Sequence, residues 1–211
     1  MNAGESKIVG IVDYGMGNLA SVAGAVERLG HQPAISSDLG ALAEAQRLIL
    51  PGVGAFADAM QELRSRKLIP VLEELVLGRE IPVLGICLGA QLLTKESEEF
   101  GLNQGLGWLD ARTVRIDPSD AHLRVPHVGW NDLLLVKDSP LTANLAAGSL
   151  FYYVHSYCIL AQDPGIVVGE CDYGTRFAAA LQAGHIFATQ FHPEKSQKPG
   201  LQILRNFIDL A

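Results

Sequence analysis

Apolar runs that end on glycine-bearing turns and open into helically spaced apolar residues recur through the first half of the chain. No other feature constrains the fold as strongly. Lys7–Asp13 (KIVGIVD) reads as a buried strand. Leu19, Val22, Ala23, Val26 and Leu29 then share one helical face, and Gly30 stops the helix. Pro33–Ser36 (PAIS) is a short strand candidate. Arg47–Leu50 (RLIL) is another, ended by Pro51-Gly52, and Phe56, Ala59, Met60 and Leu63 mark the helix after it. Ile69, Leu72 and Leu75 mark a further helix with Pro70 in its first turn. Pro82–Ile86 (PVLGI) is a fourth buried strand, with a helix predicted over Leu88–Lys95. This rhythm demands a parallel sheet covered on both faces.

The second half changes character. RTVRID, DLLLV, LFYYVHSY, GIVVGE, RFAAALQ and HIFATQF are strand-like, and Ala183-Gly184 reads as a hairpin turn. A final helix follows Pro199, with Leu201, Leu204, Phe207 and Ile208 inward. The expectation is one α/β domain over residues 1–211: a mostly parallel central sheet flanked by helices, with added antiparallel strands.

With 211 residues, 48% apolar and 18% charged, the chain can bury a sizeable core. A net charge of −7 disfavours a nucleic-acid partner. The apolar runs are strand-sized, which disfavours a membrane span, and Asp13 closes the N-terminal run before it resembles a leader. Three cysteines are too few and too odd for a disulfide framework, and no Cys or His pair has zinc-ligand spacing. These features predict a cytoplasmic protein with free thiols and neither metal nor cofactor.

DYGMGNLA carries G-x-G-x-x-A at Gly15, Gly17 and Ala20, with Asp38 about 20 residues on, as in a dinucleotide-binding turn. Charged Asp13 before the first glycine, and the lack of a hydride-transfer site in the second half, make a plain strand-to-helix turn the better reading.

GICLGAQ (Gly85–Gln91) has the form of a nucleophile elbow with Cys87 in the reactive position. The flanking glycines let a strand turn sharply into a helix. The helix N-terminus favours thiolate, and the Leu88 N–H is placed to face an oxyanion. The alternative is a buried structural cysteine, which is how Cys158 and Cys171 read. TQFHPEKS (Thr189–Ser196) supplies a base and its orienter. His192 and Glu194 stand two apart in extended chain and so point to one side, where Glu194 accepts from one imidazole nitrogen. His155 in YVHSY competes as a base but reads as structural. In LPGVGAF (Leu50–Phe56), the N–H groups of Val53 and Gly54 are candidates to complete an oxyanion hole.

Taken together, PGVGAF, GICLGAQLL and QFHPEKS resemble the class I glutamine amidotransferases over essentially the whole chain. VDYGMGNL, PHVGWN and YYVHSY narrow the resemblance to the glutaminase subunits of imidazole glycerol phosphate synthase, from histidine biosynthesis. The resemblance implies a Cys87-His192-Glu194 triad and an oxyanion strand at Gly52, Val53 and Gly54. It implies L-glutamine contacts at Gln91, Ser156 and Tyr157. It also implies a heterodimer with a (β/α)8 cyclase or synthase subunit, faced by Asn18, Trp130, Tyr152 and Lys195. Two positions depart from the familiar pattern: Ala90 and Val128 each stand where it has methionine. A paralogue feeding a related synthase in surface-sugar biosynthesis, and a stand-alone cysteine γ-glutamyl hydrolase, are the alternatives. Relatives serving aminodeoxychorismate or anthranilate synthesis fit VHSY and DYGMGN less well.

Overall fold

The computed structural model describes residues 6–120 and 122–210. The first five residues of the stretch read against a leader lie outside them. The strands are β1 (Ile8–Val12), β2 (Gln32–Ser36), β3 (Arg47–Gly52), β4 (Val83–Cys87), β5 (Thr94–Ser97), β6 (Asn103–Gln104) and β7 (Leu109–Arg115). They continue with β8 (His127–Asp132), β9 (Leu134–Leu135), β10 (Leu150–His155), β11 (Tyr157–Ala161), β12 (Val167–Asp172), β13 (Arg176–Ala183) and β14 (Ile186–Thr189). The helices are α1 (Leu19–Arg28), α2 (Leu39–Ala43), α3 (Phe56–Ser65), α4 (Leu68–Glu73), α5 (Leu88–Leu92) and α6 (Gln197–Leu210).

Among the described residues, β2-β1-β3-β4-β14 pair in parallel, and β13, β11, β7, β5 and β6 extend the same sheet. The β14–β13, β13–β11 and β11–β7 pairs are antiparallel. Strands β12 and β9 branch off β13, while β8 and β10 form a separate two-stranded ribbon.

Strand alternation sorts the core onto the two faces. Leu48 and Leu50 of β3 pack with Leu42, Phe56, Leu63, Leu72 and Leu92, from α2 to α5. Ile49 packs with Val22 and Val26 of α1 and with Ile203, Leu204 and Phe207 of α6. Each such side chain contributes roughly 1.5–3 kcal/mol on burial. The buried positions of α3, Phe56, Ala59, Met60 and Leu63, are those its periodicity marks. No helix among the described residues is long and apolar enough to cross a membrane.

Four features differ from the sequence expectation. First, β3 runs on through Pro51-Gly52. In a parallel ladder every second residue turns both N–H and C=O to the same neighbour. The Leu48 N–H donates to the Pro82 carbonyl at 2.9 Å, so Leu48, Leu50 and Gly52 face β4. Pro51 therefore faces the β1 side, beyond the last β1 pair at Ile49, where its missing donor is not needed. Second, the helix after Cys87 ends at Leu92. The Thr94 hydroxyl donates to the Gln91 carbonyl at 2.7 Å, and Thr94–Ser97 joins the sheet as β5. Third, LFYYVHSY is two strands in different sheets, broken at Ser156. Fourth, PHVGWN holds a strand, β8, paired with β10 from Leu150↔Asp132 to His155↔His127.

Candidate active site

Cys87 ends β4 with φ 54° and ψ −110°, a left-handed conformation that a non-glycine residue adopts only under local constraint. The constraint comes from the glycines around it. A Cβ at Gly89 would stand 1.8 Å from the Leu50 carbonyl oxygen, and one at Gly85 2.7 Å from the Ala90 Cα. The helix is thus pressed onto β3 and β4, and Cys87 takes the bend between them. Ala90 is fully buried in this packing, in the same core as Leu50 and Phe56.

His192 follows β14 in extended conformation, and Pro193–Lys195 form a single 3-10 turn. That turn, rather than strand alternation, brings the Glu194 carboxylate to the imidazole: His192 Nδ1 donates to Glu194 Oε1 at 2.8 Å. Both side chains are 2% exposed. His192 Nε2 has no hydrogen-bond partner among the described residues, so it is the nitrogen left for chemistry. Burial of the ring opposes protonation, but the Cys87 side chain, followed by Glu194, outweighs it and raises the pKa from 6.5 to about 9. Strand β10 holds this turn in place. The His192 N–H donates to the Tyr152 carbonyl at 2.9 Å, and Ser196 Oγ accepts from the Tyr152 N–H at 2.9 Å.

Cys87, Leu88 and His192 open onto a pocket of about 350 Å³, lined also by Val53, Gly54 and Gln91. Val154, His155, Ser156 and Tyr157 line it too, with the Val154 carbonyl 4.0 Å from the Cys87 sulfur. Gly52 lies behind the lining: the ladder phase turns its carbonyl toward β4, on the side of the Leu88 N–H. The Val53 and Gly54 N–H groups make no hydrogen bond among the described residues.

Gln91 is ordered by two bonds. Its Nε2 donates to the Tyr157 carbonyl at 2.9 Å and to Gln190 Oε1 at 3.1 Å. Gln190 Nε2 in turn lies 3.9 Å from the Cys87 sulfur. Gln190 escaped the sequence reading because, inside HIFATQF, it counts as one more strand residue. The carboxylate of Glu99, also unforeseen, reaches the pocket and accepts from the Phe56 N–H at 2.7 Å. Its run of acidic neighbours reads as a solvated face.

His155 is no free base. Its Nδ1 donates to the Tyr157 carbonyl at 2.7 Å, which leaves Nε2 to accept from His127 Nδ1 at 3.0 Å. Burial lowers their pKa values to about 3 and about 4, so both rings stay neutral. Burial pushes the Cys158 and Cys171 thiols up to about 12.

Outward from the site, the β8–β10 ribbon exposes Val128, Trp130, Leu150 and Val154. Trp130 packs edge-on to Tyr152 at 5.9 Å, and Lys195 Nζ stands 5.9 Å over the Tyr152 ring. Asn18 is exposed at the start of α1, where its side chain accepts from the Ser21 N–H.

The pattern of the family "Glutamine amidotransferase class-I" matches residues 11–210. The chain belongs to that family. Its kinship within it is with subunits named imidazole glycerol phosphate synthase subunit HisH. The one from Syntrophotalea carbinolica is 46% identical over 206 residues, covering 95% of this chain and 98% of the relative. The subunit named HisH 2 from Pseudomonas aeruginosa is 43% identical, covering 95% of this chain and 98% of the relative. The solved structure of PurLQS from Thermotoga maritima shares the fold, with a TM-score of 0.74 at 17% identity over 97% of this chain and 98% of that one.

Proposed function

We propose that this chain is the glutaminase subunit of an imidazole glycerol phosphate synthase, acting in the cytoplasm as one domain. It would hydrolyse L-glutamine and pass the ammonia to a (β/α)8 synthase subunit bound as a heterodimer. The observation that carries the reading is Cys87, held at φ 54° on the pocket floor with an oriented imidazole whose Nε2 is unpaired.

The Cys87 thiolate attacks the side-chain carbonyl of glutamine, and the carbonyl electrons move onto oxygen. Backbone N–H groups of Val53, Gly54 and Leu88 hold that oxyanion once the Gly52–Val53 peptide has turned. The His192 imidazolium gives its proton to the departing nitrogen, ammonia leaves, and a glutamyl thioester remains. Neutral His192 then takes a proton from water, hydroxide adds to the thioester, and glutamate is released with the thiolate restored. Glu194 keeps Nδ1 protonated throughout, so Nε2 does the proton transfer. Gln91, Ser156, Tyr157 and Glu99 line the space for the amino-acid end of the substrate. This route needs no metal or cofactor.

The exposed apolar side chains of the ribbon, with Asn18, Tyr152 and Lys195 beside them, form the surface offered to the synthase. Docking there would deliver ammonia away from bulk water. The test is Cys87→Ala in the chain paired with its synthase. Glutamate release should fall about 10⁴-fold while the fold and the complex persist. Glutamine turnover retained in Cys87→Ala would overturn the reading. Activation by a surface-sugar synthase alone would transfer it to the paralogue.

A further inference from the structure

The Asp13–Gly17 loop, whose glycines mimic a dinucleotide turn, lies against the back of the Gly52–Gly54 loop. A Cβ at Gly52 would stand 2.5 Å from the Tyr14 hydroxyl, and one at Gly54 2.6 Å from the Met16 Cε. One at Gly17 would stand 3.4 Å from the Pro51 Cγ. The two loops meet residue for residue.

Tyr14 is fully buried, and its hydroxyl has no hydrogen-bond partner among the described residues. Such a hydroxyl is unfavourable where phenylalanine would fill the same ring space. Burial first, and the charge of Cys87 second, raise its pKa above the tyrosine range, so it remains a proton donor.

In a planar trans peptide the C=O of residue 52 and the N–H of residue 53 point opposite ways. Here the Gly52 carbonyl is turned toward β4 and the Leu88 N–H. When the Val53 N–H turns into the pocket to meet a substrate oxygen, the Gly52 carbonyl must swing to the β1 side. Tyr14, two residues past the end of β1, holds its hydroxyl against Gly52.

We infer that Tyr14 is a positioning residue whose hydroxyl donates to the Gly52 carbonyl in the oxyanion-binding arrangement, fixing the Val53 N–H toward the reacting carbon. The inference rests on the glutaminase reading of Cys87. It accounts for a buried donor without a partner in the arrangement seen here.

The experiment is Tyr14→Phe in the chain paired with its synthase. The kcat for glutamine hydrolysis should fall about 10-fold, with KM changed less than about two-fold and an unchanged or raised thermal midpoint. Inhibition by glutamate γ-semialdehyde, whose Cys87 adduct carries the same oxygen, should weaken by a similar factor. Iodoacetamide should alkylate Cys87 at the wild-type rate. Wild-type kcat and aldehyde inhibition in Tyr14→Phe would overturn the inference, as would a lower kcat accompanied by a lower thermal midpoint. Glutamine turnover surviving Cys87→Ala would instead remove Cys87 as the nucleophile on which the inference rests.

Discussion

Gln190 holds the side chain of Gln91 by accepting one of its amide N–H bonds at 3.1 Å. The second N–H goes to the Tyr157 carbonyl at 2.9 Å, so only the Gln91 oxygen is left to face the pocket. Replacing Gln190 with leucine strands a buried donor on Gln91 and removes the amide beside the Cys87 sulfur. Glutamine kcat/KM should fall about ten-fold or more, equivalent to about 1.4 kcal/mol, and the urea midpoint should drop. Unchanged steady-state kinetics in Gln190→Leu would rule this role out.

The elbow should be measurably strained. At φ 54° any side chain is held against its preference, so Cys87→Gly should unfold at higher urea than Cys87→Ala, by about 1 kcal/mol. Equal midpoints for the two variants would show a relaxed turn.

Gly89→Ala should be far more damaging than either. Its Cβ would meet the Leu50 carbonyl oxygen at 1.8 Å, and neither backbone can retreat without separating α5 from β3. A loss of about 3 kcal/mol or more is expected, read as a fall in soluble yield and thermal midpoint.

Activity should have an alkaline limb near pH 9. His192 has a folded-state pKa of about 9, above the unfolded 6.5, and in the proposed route its protonated form gives the proton to the departing amide nitrogen. Its stabilising contribution is complete below pH 6.5 and is lost as pH rises through about 9. Glu194→Gln removes one of the two groups that raise this pKa, so the kcat/KM limb should move to lower pH. A limb unmoved in Glu194→Gln would count against the pairing.

Acid should destabilise the fold through His127 and His155. Both are held neutral, to about 4 and about 3, whereas the unfolded chain protonates them near 6.5. Their contribution is present above pH 6.5 and declines as pH falls toward those values. For His155 the slope is about 1.4 kcal/mol per pH unit. Urea midpoints at pH 7, 6 and 5 should decline along this slope, and less so in His155→Gln.

The parts of the fold and site legible in the sequence are those that local chemistry dictates. Alternation of apolar runs and helical faces exposes β1, β3, β4, α1 and α3, and Gly85-Ile86-Cys87-Leu88-Gly89 exposes the elbow. His192 and Glu194 are legible as a pair, although the 3-10 turn at Pro193 joins them and extended alternation does not. Tertiary placement decides the rest. Gln190 is distinguished from its strand neighbours only by facing Gln91 and Cys87, and Glu99 from nearby acids only by reaching the pocket. Strand β8 hides because Gly129 and Pro126 read as breakers, and its partner β10 lies beyond an intervening 3-10 turn and loop.

Among the described residues, the β8–β10 ribbon shares no ladder with the large sheet. Shifting it as a unit therefore disrupts side-chain packing but no strand pairing. Yet the peptide of Tyr152 is bonded on one side to the His192 N–H and on the other to Ser196. Whatever presses on the outer face of the ribbon thus has its hand on the imidazole. His192 is thus tied both to the large sheet, through β14 beside the strand that carries Cys87, and to the separate ribbon, through Tyr152.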